Sequence, residues 1–215
     1  MASARLNKLV SLVPTCNLLA DVGCDHGYVG IAALQQGKAS RVAFTDISAP
    51  SLHKARANCP QNLTDKVSFH CQDGLGDIQA DCAIIAGMGG LEIISILQNA
   101  KHLPEKLVLQ PMRNQRDVRE YVTKQYEIVT DVKFFDGKFY DVIVAVQSDT
   151  PSALTELELE FGKSNIQEPS TDFVSYLKLE LTKLNSILEG TSDVDVQAKR
   201  NLVEQTLKLI LKKSK

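Results

Sequence analysis

The chain has 215 residues, 44% of them hydrophobic, and its 24 Lys and Arg nearly cancel 26 Asp and Glu. That length fits one full domain plus a smaller appendage. The balanced charge excludes nucleic-acid binding through net charge, though not through a local basic patch. No apolar run approaches the ~18 residues needed to span a bilayer, so no membrane association is expected.

In chain order, Met1–Cys16 holds a short apolar run broken by Lys8 and Pro14, which does not read as a secretory leader. The five cysteines (Cys16, Cys24, Cys59, Cys71 and Cys82) are odd in number and lack the two-residue gap of zinc or redox motifs. They are expected to be reduced, half-buried residues of a cytoplasmic protein, with no metal site. Strands are predicted at Leu18–Asp21, Arg41–Asp46, Val67–Cys71, Asp81–Ala86 and Leu107–Gln110. Helices are predicted between them at Gly30–Gln36, Ser48–Ala57, Gly90–Ala100 and Asn114–Lys124. Strand and helix in alternation build a parallel sheet covered on both faces. Glu127–Phe135 and Phe139–Gln147 then flank Asp136-Gly137, a strong hairpin turn. A parallel sheet ending in an antiparallel hairpin is the seven-stranded, Rossmann-like α/β arrangement of class I methyltransferases, predicted here over residues 1–150.

Residues 151–215 form a second, helical unit. A short helix is predicted in Ala153–Phe161, leading into a Gly162–Pro169 connection. Phe173, Leu177, Leu181, Leu184 and Leu188 follow at helical spacing. Val196, Val203 and Ile210 recur every seven residues, with Leu207 and Leu211 widening the stripe. Gly190–Asp193 breaks the two and supplies an N-cap. The expectation is a coiled-coil-like helical hairpin that folds on itself, leaving a monomer.

Ligands of open parallel sheets bind outside the carboxyl ends of the strands. The first such end reads Asp21-Val22-Gly23-Cys24-Asp25-His26-Gly27-Tyr28. Gly23 and Gly27 allow a tight turn and close ligand approach, but Asp21 and Asp25 would face a bound pyrophosphate. One like-charge pair at 4 Å costs ~4 kcal/mol at an effective dielectric of 20. NAD, FAD and ATP are therefore disfavoured against S-adenosylmethionine, which carries an ammonium and a sulfonium and no phosphate. Asp46, followed by Ile47, ends the second strand 25 residues after Asp21, near the spacing of a ribose-binding acid. It reads otherwise as an acid at the start of the next helix. Asp73-Gly74 ends the third strand, either as an adenine contact or as a simple turn. Ala86-Gly87-Met88-Gly89-Gly90 ends the fourth, leaving room for a flat base or making only a tight turn.

These residues match a known pattern. Ala20–Tyr28, Ile85–Gly90 and Leu109-Gln110-Pro111 resemble the bacterial tRNA (adenine-22-N1)-methyltransferase family, a resemblance covering the first unit in order and extending to the helical hairpin. Members usually carry asparagine where Met112 stands and tend to have proline where Gly30 stands. The resemblance implies S-adenosylmethionine as donor and N1 of an adenine in the tRNA D-arm as acceptor. Neutral adenine N1 has an in-plane lone pair and loses no proton on methylation, so placement matters more than a general base.

The cofactor is then expected at Asp21, Gly23, Cys24, Asp25, Gly27, Asp46, Ile47, Asp73, Gly74, Ala86 and Gly87. Asp25, His26, Tyr28, Gly87, Met88 and Gly89 are expected to line the catalytic side. His26 reads equally as a loop histidine bonded to backbone. Arg5, Arg113, Arg116 and Arg119 are the expected phosphate contacts, the last three recurring three apart on one helical segment. Lys208, Lys212, Lys213 and Lys215 read either as further contacts or as complements to a helix dipole. Two other functions stay open: a methyltransferase for a small molecule or protein, and a non-catalytic RNA-binding protein.

Overall fold

The computed structural model describes residues 3–213; Met1, Lys215 and the side chain of Lys213 lie outside them. Helix α1 (Ala4–Leu12) opens the chain, followed by β1 (Cys16–Val22), α2 (Tyr28–Gln35), β2 (Ala39–Asp46) and α3 (Ala49–Asn58). A short 3-10 helix (Gln61–Lys66) leads to β3 (Val67–Cys71), then β4 (Cys82–Met88), α4 (Gly90–Gln98), β5 (Lys106–Pro111) and α5 (Gln115–Val122). The hairpin is β6 (Tyr126–Asp136) and β7 (Lys138–Gln147), and four helices close the chain: α6 (Glu156–Phe161), α7 (Lys163–Gln167), α8 (Thr171–Leu188) and α9 (Val194–Lys213). The seven strands run in the order β3-β2-β1-β4-β5-β7-β6. β1 to β5 pair in parallel, while β7 lies antiparallel to both β5 and β6. This is the predicted seven-stranded arrangement.

Each sheet face buries its own apolar layer. Leu19, Phe44, Ile84 and Val142 face α1 and α2 through Leu9, Val13 and Ile31. Ala20, Ile85, Leu109 and Ile143 face α4 and α5 through Ile93, Leu97, Val118 and Val122. Successive residues thus serve opposite faces, which is why the central strands read as unbroken apolar runs.

Two helices fall outside the sequence expectation. α1 was not anticipated: Lys8 and Pro14 broke its apolar run, yet Leu9 and Val10 are buried and Ser3 Oγ caps the helix by accepting from Leu6 N at 3.1 Å. α7 occupies the predicted Gly162–Pro169 connection. α8 and α9 form the expected hairpin, with Phe173, Leu177 and Leu184 packed with Val203, Leu207 and Ile210. Asp193 Oδ1 accepts the N–H of Val196 at 3.0 Å, as an N-cap should. Leu211 does not widen the stripe; it is half exposed on the far side.

The helical segment is bonded to the sheet rather than merely following it. β6 is an edge strand, and its outward N–H groups would be open to pairing with another chain. Ser164 Oγ accepts from Asp131 N at 3.0 Å, Asn165 Oδ1 from Lys133 N at 2.9 Å, and Asp172 Oδ2 from Phe135 N at 3.0 Å. Alternate residues of the edge are thereby closed by α7 and α8. No described helix is long and apolar enough to cross a membrane.

Candidate active site

The carboxyl ends of β1 to β4, roofed by α1, enclose a cleft of about 1020 Å³. The β1 loop is stitched to the end of β2. Gly23 and Cys24 donate their N–H groups to Thr45 O at 2.8 and 3.1 Å, and Asp25 N donates to Asp46 Oδ2 at 3.1 Å. Asp46 Oδ1 accepts from Ser48 N at 2.8 Å, so one carboxylate ties two loops together. Ser48 caps α3, and Asp46 therefore is not that helix's first-turn acid. Asp25 is one of two non-glycine described residues at positive φ, at 44°.

Asp21 is buried, its Oδ2 accepting from Gly30 N at 2.9 Å. Burial pushes its carboxyl up to about 7; the Gly30 N–H opposes that rise and the charge of Asp46 adds to it. Burial also drives the Cys24 thiol far up, helped by the charges of Asp21 and Asp46, so it is no nucleophile. Asp25 is turned outward, 3.2 Å from Lys54 Nζ and 3.6 Å from His26 Nε2. The His26 ring stacks on Tyr28 with centroids 5.1 Å apart and planes within 5°. Its carbonyl, not its ring, takes the backbone-type bond, accepting from Asn58 Nδ2 at 3.1 Å. Tyr28 remains 53% exposed, leaving ring area open beside the cleft.

Of the residues expected in the site, Asp21, Gly23, Cys24, Asp25, His26, Tyr28, Asp46, Ile47, Asp73, Gly74, Ala86, Gly87 and Met88 line this one cleft. Gly27 and Gly89 do not. A Cβ on Gly27 would come 2.9 Å from Ala55 Cβ, so this glycine, at φ 69°, serves packing beneath the loop. A Cβ on Gly89 would meet Arg113 Nε at 3.2 Å, and Gly90 lies against the carbonyls of Arg113 and Asn114. The two readings of the glycine turn thus divide it: Gly87 opens on the cleft, while Gly89 and Gly90 make a close backbone approach. Met88 reaches back across the site, its Cε taking the place a Gly23 side chain would need.

Sequence reasoning missed Gln72, Glu92, Ile96, the α1 cap Ser3 and the α1 residues Leu6 and Leu9, all of which line the cleft. The α1 residues were signalled by Leu6, Leu9 and Val10, which share a helical face. The expected phosphate contacts separate. Arg113 is exposed. Arg116 is held bidentately by Glu156 at 2.6 and 3.0 Å and is 37% exposed. Arg5 sits in the cleft wall. Arg119 is fully buried against Asp131 and Asp141 and touches no solvent, so it cannot be a phosphate contact.

The chain resembles known proteins along nearly its whole length. Residues 2–143 match the family described as a methyltransferase domain. A Bacillus subtilis (strain 168) tRNA (adenine(22)-N(1))-methyltransferase is 32% identical over 203 residues, covering 88% of this chain and 85% of that protein. This chain belongs to the tRNA (adenine(22)-N(1))-methyltransferase family. Two solved structures agree. The M. capricolum TrmK, in complex with S-adenosyl-homocysteine, superposes with a TM-score of 0.87 at 25% identity, covering 98% of this chain and 99% of that one. The Streptococcus pneumoniae protein Sp1610, in complex with S-adenosyl-L-methionine, superposes with a TM-score of 0.79 at 25% identity, covering 99% of each chain.

As a tRNA (adenine(22)-N(1))-methyltransferase family member the chain departs from the expected pattern at Met112 and Gly30. Met112 Sδ accepts weakly from Gln110 Nε2 at 3.2 Å. Gly30 does more than adjust a helix start, because its N–H is the donor to Asp21, which proline would remove. A Cβ here would also lie 2.5 Å from Phe44 Cε1 and 2.8 Å from Val42 Cγ1. Gly30→Ala is therefore expected to lower unfolding stability by about 1–3 kcal/mol through overpacking, read from denaturant midpoints. An unchanged midpoint would show that Phe44 yields freely.

Proposed function

We infer that the protein transfers a methyl group from S-adenosylmethionine to N1 of adenine 22 in the D-arm of tRNA. The observation that carries the donor assignment is the cleft's charge: Asp21, Asp25, Asp46, Asp73 and Glu92 line it against a single Lys or Arg among its described residues. Those groups fit a ligand with two cationic centres and reject a pyrophosphate. The acceptor assignment rests on likeness to the B. subtilis enzyme across both the sheet and the helical segment.

When bound, S-adenosylmethionine supplies an electrophilic methyl carbon; the chain supplies placement. Asp73 and Gly74 would meet the adenine end, Asp46 and Ile47 the ribose, and Asp21, Gly23 and Ala86 the methionine end. Cys24, with its thiol kept neutral, adds an uncharged wall. His26 and Tyr28 are stacked in advance and offer an aromatic face to a base taken out of its helix. Gly87 and Met88 shape the floor beneath it. The acceptor nitrogen has no proton to lose, so methyl transfer calls for placement rather than for a strong base. Arg113, the Arg116 edge and the helices α6 to α9 would carry the tRNA body. Phe173, Leu177 and Leu184 of α8 are buried with Val203, Leu207 and Ile210 of α9, which supports a hairpin that folds on itself as a monomer.

The direct test is methyl transfer from labelled S-adenosylmethionine to unmodified tRNA transcripts, with nucleoside mapping. Label is expected as 1-methyladenosine and lost when adenine 22 is replaced. Label on no transcript, with the donor still bound, would move the substrate to a small molecule or protein.

A further inference from the structure

Arg5 is the one Lys or Arg among the described residues lining a cleft otherwise acidic, and its surroundings are built to hold it. Its backbone N–H donates to Asp136 Oδ2 at 2.8 Å, tying the first turn of α1 to the β6–β7 turn. Its Nε donates to Oε1 of Gln110 at 2.9 Å, a glutamine with no exposed surface. Its guanidinium carbon lies 5.3 Å above the Tyr140 ring. Phe134 also stacks on that ring, with centroids 5.6 Å apart. Two elements, β5 and β7, thus hold the guanidinium, and β6 holds the Arg5 backbone, before any ligand arrives.

Its remaining donors are free. Nη1 and Nη2 find no acceptor among the described residues, and a Cβ on Gly87 would come within 2.9 Å of Nη2. The sheet order says which side of the cleft this is. Asp73, Asp46 and Asp21 stand at the ends of β3, β2 and β1, on one side of β4. Gln110 and Tyr140, which seat Arg5, belong to β5 and β7 on the other. Arg5 therefore faces the acceptor half, across β4 from the acids of the donor half.

We propose that Arg5 binds the phosphate of the nucleotide being methylated, with Lys138 as an outer cation on the same path. Lys138 is exposed at the hairpin turn, its Nζ 5.3 Å from the Tyr140 ring. A phosphate at Arg5 accepts charge-assisted bonds in a planar fork. It also neutralises a guanidinium that would otherwise oppose the positive charge appearing on the methylated ring. Arg5 is thus a contact that registers the target nucleotide over Gly87.

The inference rests on tRNA as the substrate. It is tested on the full-length protein as wild type, Arg5→Ala, Arg5→Lys and Lys138→Ala. Donor affinity is measured by calorimetry, and tRNA binding and kcat/KM across a salt series. Arg5→Ala should leave S-adenosylmethionine affinity within about twofold while lowering kcat/KM for tRNA by about 10–100-fold, the loss of one charge-assisted phosphate contact. Its log–log salt slope should shrink by about one, and Arg5→Lys should recover part of the loss. Lys138→Ala, a surface change with no folding role, should weaken tRNA binding and shorten the slope likewise. A tenfold loss of donor affinity in Arg5→Ala with an unchanged salt slope would overturn the proposal and assign Arg5 to the donor's carboxylate. Normal tRNA kinetics and slope in Arg5→Ala would overturn it as well. Wild-type protein that methylates no tRNA is a different failure, that of the substrate itself.

Discussion

Asp21→Asn is expected to abolish S-adenosylmethionine binding while making the ligand-free protein more stable at pH 8. Burial lifts the Asp21 carboxyl from 3.8 to about 7, with Gly30 N–H opposing and Asp46 adding. Between those values the folded chain keeps a proton that the unfolded chain has released. Stability from this group is therefore greatest below about pH 4, falls as pH rises, and levels above about pH 7. Roughly three pH units at about 1.4 kcal/mol each give a cost near 4 kcal/mol at pH 8 as an upper bound. An asparagine keeps a carbonyl oxygen for Gly30 N–H and carries none of that cost. Urea unfolding of both proteins at pH 5 and pH 8 reads it: the variant's advantage should be small at pH 5 and larger at pH 8. The same carboxylate must ionise to meet a cationic ligand, so wild-type donor affinity should climb from pH 6 to 8. Calorimetry in buffers of different ionisation enthalpy should show proton release on binding. Donor affinity that survives Asp21→Asn, or a stability advantage independent of pH, contradicts this account.

How much of this was legible in the sequence varies by element for physical reasons. β1, β2, β4 and β5 were readable because strands buried on both faces leave apolar runs, as in Leu18–Asp21 and Asp81–Ala86. The hairpin was readable because Gly137 adopts φ 74°, which Asp-Gly accommodates. The acids lining the cleft were readable because fold class fixes which end of each strand opens on it. α1 was missed because its apolar residues were weighed as a targeting run, not for helical period. Gly89 was misplaced because a glycine does not state what approaches it, and here that is Arg113 from the β5–α5 connection. Arg5 was singled out as a phosphate contact, but its seat combines Gln110, Asp136 and Tyr140, which no local pattern brings together. The spacing of Arg113, Arg116 and Arg119 gave a shared helical face but not its direction. Val118 and Val122, beside Arg119, are the signal that its side of α5 turns inward.

Arg119 yields the second large effect: Arg119→Met should destabilise the fold by about 3–5 kcal/mol, the usual loss when one partner of a buried ion pair is removed. Its Nε donates to Asp131 Oδ2 at 2.7 Å, and its Nη2 donates to Asp131 Oδ1 and Asp141 Oδ1, each at 3.0 Å. Nη1 donates to the carbonyls of Leu159 and Glu160 at 3.2 Å, satisfying the end of α6. Burial already holds Asp131 above the usual carboxylate range despite this arginine. Burial also opposes ionisation of Asp141, but Lys133 and Arg119 outweigh it and hold Asp141 low. Without Arg119, Asp131 loses its cation, whereas Asp141 keeps Lys133, to which it is directly bonded. The double variant Arg119→Met, Asp131→Leu removes the stranded charge and should regain much of the loss, because desolvation then acts on neither group. Denaturant midpoints of the two single variants and the double variant measure the coupling. The salt slope of tRNA binding separates this from a surface role, since a buried guanidinium contacts no phosphate and should leave the slope unchanged. Wild-type stability in Arg119→Met together with a shallower slope would return the arginine to the RNA-facing surface. The geometry instead makes it the bolt between α5, the hairpin and α6, on which the placement of the helical segment depends.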